Sequence, residues 1–234
     1  MGNLLEVQDI HTFIGQFHIL EGVTVAAPEG GIVALLGRNG AGKTTTLKSI
    51  LGLTPPSKGR IIFDGQEIQG RASYDIASLG IGYVPEHRAI FRDLSVGENL
   101  KIAERKRGDL ARKEELIFDL FPDLKRLIKL PGTSLSGGQQ QMLAVARALV
   151  PDNKLLLIDE PSEGLAPVII ESMMEAIRQL SGDSTILLVE QNFIVASRLA
   201  EHYVIIEEGR SVKAGLMADL VDDHETIQRY LGAA

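Results

Sequence analysis

The sequence predicts an α/β protein: a mixed, largely parallel sheet with an antiparallel β part and an inserted helical block. Three observations carry this. In the last third, short apolar strand-like runs alternate with helix-like stretches, the pattern of a parallel sheet with crossover helices. A glycine-rich turn, GRNGAGKT at 37–44, falls between an apolar strand and a helix. The stretch from roughly 92 to 150 reads as helical and interrupts two α/β stretches, which suggests a subdomain at about 87–150.

LLEVQDI (4–10) alternates as a half-buried strand does, and VTVAA (23–27) is expected to follow a turn at Glu21-Gly22. IVALL (32–36) is a continuous apolar run, which suits a strand buried on both faces. KTTTLKSILGL reads as a helix, and RIIFDGQEI (60–68) as a strand around an Asp-Gly turn. SVGE (95–98) has the spacing of a capping box, Ser three residues before Glu. The charged run ERKRGDLARKEE (104–115) is expected to be a solvated helical face. LLLID, PVIIESMMEAIRQL, TILLV and FIVASRLAE then alternate strand and helix. YVIIEEGRSVKAG forms a strand pair around a glycine turn, and a short helical tail follows. No period of 20–50 residues repeats. The expected organisation is one domain over 1–234, with 1–86 and 151–234 as the α/β core and 87–150 as the helical subdomain.

Composition narrows the function classes. The apolar runs fall far short of the roughly 20 residues that span a bilayer. The N-terminus lacks a basic segment followed by an apolar one, so the cell interior is the expected location. With no cysteine, disulfides and thiolate metal sites are excluded. A net charge of −7 argues against a broad nucleic-acid footprint, and no nucleic-acid partner is expected. The histidines at 11, 18, 87, 202 and 224 show no metal-ligand spacing.

GRNGAGKT matches G-x-x-x-x-G-K-[ST] in full. Backbone N–H groups of Gly37, Arg38, Asn39, Gly40, Ala41 and Gly42 would turn inward on phosphate oxygens, at the positive end of the following helix. Lys43 would reach the β- and γ-phosphates, Thr44 would offer its hydroxyl to Mg²⁺, and Thr45 would sit by the α-phosphate. LLLIDEP (155–161) supplies Asp159 to hold the Mg²⁺ through water and Glu160 to orient and deprotonate an attacking water. The pattern implies a nucleoside triphosphate and Mg²⁺.

LSGGQQQ (135–141) raises a different question. Ser136 and Gln139 have capping-box spacing, but a cap does not call for the two glycines between them, which weaken a helix start. Gly137 and Gly138 would let another surface approach the backbone, and a helix N-terminus with a hydroxyl beside it attracts an anion. Since Lys43 and Thr44 already serve one triphosphate, the second loop is read as serving a nucleotide bound by another subunit.

In these motifs the chain resembles the ATP-binding cassette (ABC) ATPases over nearly its whole length. The resemblance implies ATP hydrolysis and a head-to-tail dimer with a second cassette, alike or different. Ser136, Gly137, Gly138 and Gln139 would then act in trans. Segment 87–150 would be the family's helical subdomain, and strands 4–27 part of its antiparallel subdomain.

Several positions depart from the general family pattern. Glu86, after IGYV and Pro85, stands where most cassettes have a glutamine near the Mg²⁺; it keeps an oxygen for the metal. Gln191, in LLVEQN, stands where most have a histidine against the γ-phosphate; it can donate a hydrogen bond but cannot carry a proton. Ile14, in TFIGQ, occupies the position of the aromatic residue that stacks on adenine and is assigned apolar contact with the base, with Phe13 and Phe17 nearby. Ala166, in PSEGLAP, replaces a usual aspartate.

Together VPE (84–86), EPSEGLAP (160–167) and LVEQN (188–192) resemble the second ATP-binding subunit of high-affinity branched-chain amino acid importers, or their relatives that import urea or short amides. The implied partners are two integral-membrane permease subunits and, indirectly, an extracytoplasmic solute-binding protein. The implied location is peripheral, at the cytoplasmic face of the inner membrane. HRAIFRDLS (87–95), with Arg88 and Arg92 among apolar residues, is expected to meet a permease helix. A soluble, non-transport cassette is the alternative; a small-molecule kinase would share only GRNGAGKT.

Overall fold

The structure, a computed structural model, describes residues 2–232. Two long strands, β1 (Asn3–Ile14) and β2 (Phe17–Pro28), form a hairpin. Its turn lies at Gly15-Gln16, not at Glu21-Gly22 as the sequence suggested. Glu21 and Gly22 lie inside β2, opposite an irregularity in β1 near Asp9, whose N–H donates to Thr24 Oγ1 (3.1 Å). A bulge lets a glycine sit within a strand without ending it.

β3 (Ile32–Leu36) leads to α1 (Lys43–Ile50). Then come β4 (Lys58–Phe63), β5 (Gln66–Glu67), α2 (Ser73–Ser78) and β6 (Ile81–Val84). The helical block contains α3 (Val96–Lys101), α4 (Asp109–Leu120), α5 (Pro122–Arg126) and α6 (Gly137–Leu149). The alternating last third gives β7 (Leu155–Asp159), α7 (Pro167–Leu180), β8 (Thr185–Glu190) and α8 (Phe193–Leu199). The chain closes with β9 (His202–Glu207), β10 (Arg210–Leu216), α9 (Met217–Val221) and α10 (His224–Thr226).

An antiparallel sheet has the order β2-β1-β4-β5, and a six-stranded sheet has the order β10-β9-β3-β8-β7-β6. In the second, β9, β3, β8, β7 and β6 run parallel, and β10 is an antiparallel edge strand.

The parallel strands divide two cores. Ile32, Ala34, Leu36, Leu156, Ile158, Ile186 and Leu188 face the core shared with the helical block and α7. Val33, Leu35, Leu155, Leu157, Leu187 and Val189 face the core closed by the antiparallel sheet. Both faces are covered, so these strands read as unbroken apolar runs. Each fully buried aliphatic side chain contributes about 1.5–3 kcal/mol relative to exposure.

The helical block is fastened by polar side chains. Asn99 is fully buried; its Oδ1 accepts from Phe91 N–H (2.9 Å), and its Nδ2 donates to the carbonyls of Phe91, Leu94 and Ser95. The run 104–115 is not one solvated face. It breaks at Gly108, and the buried Asp109 carboxylate accepts from the N–H groups of Arg105 (3.0 Å) and Lys106 (2.7 Å). Arg105 reaches across to the Ile81 carbonyl (2.8 Å), tying the block to β6. Arg112 also donates to Asp109 Oδ1 (2.5 Å); the backbone partners are what periodicity alone does not reveal.

Candidate nucleotide site

The strand order β3-β8-β7-β6 sets the site. Parallel strands end on one edge, and each of these four delivers its next residues there: the 37–45 loop after β3, Glu190 and Gln191 at β8, Asp159 and Glu160 at β7, and Glu86 after β6. Ligands of open parallel sheets bind at this carboxyl edge.

The phosphate loop is shaped by close packing. Gly37 has φ +149°, and a Cβ there would lie 2.3 Å from the Ile206 carbonyl oxygen. Gly42, before α1, has φ +111°, and a Cβ there would meet Leu20 Cδ2 at 2.7 Å. Lys43 is buried, and its ammonium donates to the carbonyls of Gly37 (2.9 Å) and Arg38 (3.1 Å). It also pairs with Glu160 Oε1 at 3.1 Å. A cleft of 410 Å³ is lined by Ile14, Ile19, Asn39, Gly40, Gly42, Lys43, Thr44, Thr45, Glu86, Glu160 and Glu163. Ile14 is therefore brought to the same cleft as the phosphate loop. Phe13 instead stacks on His18 at 4.2 Å, and neither Phe13 nor Phe17 lines the cleft.

Thr44 Oγ1 donates to Asp159 Oδ1 (3.1 Å), and Tyr83 donates to Asp159 Oδ2 (3.3 Å). Asp159 is fully buried, with the Thr44 and Tyr83 hydroxyls at its oxygens. Burial pushes its carboxyl up to about 6; the Thr44 hydrogen bond opposes this, and the Glu160 charge adds to it. Burial and Asp159's charge also push the Tyr83 hydroxyl up. Tyr83 was not foreseen; a tyrosine inside IGYV reads as ordinary strand packing.

Glu160 has φ +46°, a strained conformation for a non-glycine residue. Gln191 is exposed and shares a second cleft with Glu160, Ser162 and Glu190. Ala166 stands at the N-cap of α7, which has no side-chain cap, and Pro167 opens the helix.

The signature turn forms the expected capping box: Ser136 Oγ accepts from Gln139 N–H (3.3 Å), and Gln139 Oε1 accepts from Ser136 N–H (2.9 Å). Its glycines are already packed within the chain. A Cβ on Gly137 would lie 2.9 Å from Arg88 Nη1, and one on Gly138 would lie 3.1 Å from Ile169 Cγ2. Ser136, Gly137, Gly138 and Gln139 do not line the phosphate cleft of their own chain.

Within 87–95, Ile90 packs on the core, while Phe91 lies under the Arg147 guanidinium at 4.8 Å. Arg147 also donates to the Ala89 carbonyl and lines an apolar groove with Leu51, Leu53, Tyr74, Ala77 and Tyr83.

A phosphate loop on a parallel sheet, with Asp159 and Glu160 two strands away across β8, defines a P-loop nucleoside triphosphatase. The particular branch follows from similarity. Residues 20–163, more than half of the chain, match the family described as ABC transporter. The chain is 39% identical over 232 residues to the high-affinity branched-chain amino acid transport ATP-binding protein BraG of Pseudomonas aeruginosa, covering 98% of this chain and 100% of the relative. It is 36% identical over 218 residues to the probable branched-chain amino acid transport ATP-binding protein LivF of Archaeoglobus fulgidus, covering 92% of each. It is 31% identical over 240 residues to the lipopolysaccharide export system ATP-binding protein LptB of Acidithiobacillus ferridurans, covering 99% and 98%. Its fold is similar to that of an ATP-binding cassette of an ABC transporter whose structure was solved in the ADP conformation, with TM-score 0.86, 22% identity and full coverage of both chains. The chain belongs to the ABC transporter family. It is an ATP-hydrolysing subunit of a transporter.

Proposed function

We propose that this ATPase energises import of branched-chain amino acids through a pair of membrane permeases. The observation that carries the solute class is the identity of 39% and 36% with two branched-chain amino acid transport subunits across nearly whole chains. Urea or short amides are the neighbouring alternative. The LptB relative, matched over 99% of this chain, favours lipid export as a second reading.

In the proposed reaction Glu160 is the base that orients and deprotonates the attacking water, and Lys43 neutralises phosphate charge. Ile14 makes the apolar contact with adenine. Gln191 meets the γ-phosphate as a neutral hydrogen-bond donor. Thr44, Asp159 and Glu86 offer hard oxygens suited to Mg²⁺, which would polarise the phosphoryl oxygens when bound. Among the described residues no cluster of three or more carboxylates and histidines forms a complete metal cage.

The second nucleotide-binding surface, at Ser136, Gly137, Gly138 and Gln139, acts on ATP held by a second cassette. Its support is that these residues stand apart from their own chain's phosphate cleft. The helical subdomain is assigned to 87–150 and the remainder to the α/β core and antiparallel subdomain. A permease helix docks in the apolar groove at Leu53 and Tyr74, which are 54% and 74% exposed. Arg147 links this groove to the loop following Glu86. The docking surface expected at 87–95 adjoins this groove, and His87, Arg88, Ile90 and Arg92 line a further cleft with Glu86. The protein is peripheral, at the cytoplasmic face of the inner membrane; no helix among the described residues is long and apolar enough to cross it.

The test is affinity purification from detergent-solubilised native membranes, followed by reconstitution with the recovered permeases and binding protein. ATP-dependent uptake of leucine, isoleucine or valine is the expected result. Uptake confined to urea or amides, or outward lipid transfer, would overturn the solute assignment. Recovery with soluble complexes alone would overturn transport.

A further inference from the structure

We propose that Glu190 is a positioning residue for hydrolysis, a clamp that fixes the loop carrying Glu160 relative to Gln191. Glu190 ends β8 and is 1% exposed. Its Oε1 accepts from Ser162 N–H (3.2 Å). Its Oε2 accepts from the Ser162 hydroxyl (2.9 Å) and from Asn192 N–H (3.3 Å). One buried carboxylate thus holds a residue two positions past Glu160 and a residue next to Gln191.

The arrangement is costly for mere packing. A carboxylate out of water, balanced by neutral donors and no cation, is poorer for stability than an apolar side chain of similar volume. Burial pushes this carboxyl up to about 7, against the lowering effect of the Ser162 and Asn192 hydrogen bonds. What the bonds provide is geometric. Glu160 holds a strained backbone (φ +46°), which persists only where its surroundings over-determine it. The Glu160 N–H donates to the Val189 carbonyl (2.9 Å), and Ser162 is held by the next residue of the same strand. The end of β8 therefore grips the strained segment at two points. Glu160, Ser162, Glu190, Gln191 and Asn192 line one cleft, so a shift of the clamp would be felt where water and phosphate must align.

This rests on Glu160 acting as the base. The test uses the purified full-length chain with Mg²⁺ and ATP, comparing Glu190→Ala, Glu190→Gln, Ser162→Ala and the double variant Ser162→Ala/Glu190→Gln. Fluorescent-ATP binding is read separately. The expected result is a fall in kcat of about tenfold or more for Glu190→Ala, with nucleotide affinity within about twofold. Glu190→Gln, which keeps an acceptor oxygen, should recover part of the rate. The double variant should be no slower than the slower single variant, because both remove one linkage. Unchanged kcat, a loss confined to nucleotide affinity, or independent additive losses would overturn the clamp. If Glu190→Ala does not fold, Glu190→Gln and Ser162→Ala decide by the same criteria. Glu160→Gln is run alongside. Full turnover there overturns the base assignment on which the clamp depends; turnover lost there but kept in the Glu190 variants overturns the clamp alone.

Discussion

Lys43 Nζ lies 3.1 Å from Glu160 Oε1, so the cation of the phosphate loop and the proposed base are paired inside one cleft. Both are largely buried, at 4% and 11% side-chain exposure. A γ-phosphate would compete with Glu160 for the ammonium, and a carboxylate released from that pair is available to accept a proton from water.

Separating the two roles gives the first prediction. Glu160→Gln should retain ATP binding while kcat falls by about 10²–10⁴, the range for loss of a positioned base. Lys43→Ala should lose nucleotide binding itself. Equal loss of binding in both variants would contradict the division of labour. Fluorescent-nucleotide titration with single-turnover hydrolysis measures it.

The in-trans reading of the signature turn predicts complementation. Lys43→Ala and Ser136→Ala, each inactive alone, should regain hydrolysis when mixed, up to about a quarter of the wild-type rate. In a mixed dimer one composite site then has an intact phosphate loop from one chain and an intact signature turn from the other. A mixture as dead as its components would mean that the motifs act within one chain. Loss of the Ser136 cap alone should cost only about 1 kcal/mol of stability.

Gln191 can be tested by the proton it cannot carry. Gln191→His should add an ionisation near neutral pH to the rate profile. Glu190, at about 7, already falls in that range, so the readout is the variant profile minus the wild type. Superimposable profiles would count against Gln191 facing the reacting phosphate.

Glu190 also predicts a pH-dependent stability. Its carboxyl, raised from 4.5 to about 7 on folding, binds a proton more tightly in the folded chain. The resulting stabilisation is full below about 4.5 and is lost as pH rises through about 7. Wild type minus Glu190→Gln should therefore show a stability difference that favours wild type more at pH 5 than at pH 8. Its limiting size is on the order of 3 kcal/mol. Thermal melts of both proteins across this range check it, and a difference flat with pH would refute it.

Gly37 offers a purely steric test. A methyl group there meets the Ile206 carbonyl at 2.3 Å on a positive-φ backbone, so Gly37→Ala should destabilise the fold by about 3 kcal/mol. It should also weaken ATP binding, since the loop must move. Denaturant midpoints and nucleotide affinity both report on it, and wild-type values for the pair would mean that the loop relaxes freely.

The sequence by itself determined the phosphate loop, the Asp159-Glu160 pair, the signature cap and the parallel architecture. Each is local: a turn needs its glycines, a cap needs Ser and Gln at fixed spacing, and a doubly covered strand needs an unbroken apolar run. The tertiary structure decided what depends on partners distant in the chain. The hairpin turn sits at Gly15-Gln16 because the register of β1 and β2 and the irregularity near Asp9 carry Glu21-Gly22 into the strand. The charged run 104–115 folds onto backbone donors and β6 because Asp109 and Arg105 find partners that no helical period encodes. Glu190 has no signal in the sequence; β7 and β8, joined side by side, bring it to Ser162 across 28 residues of chain. Strand order, not spacing, makes those two residues neighbours.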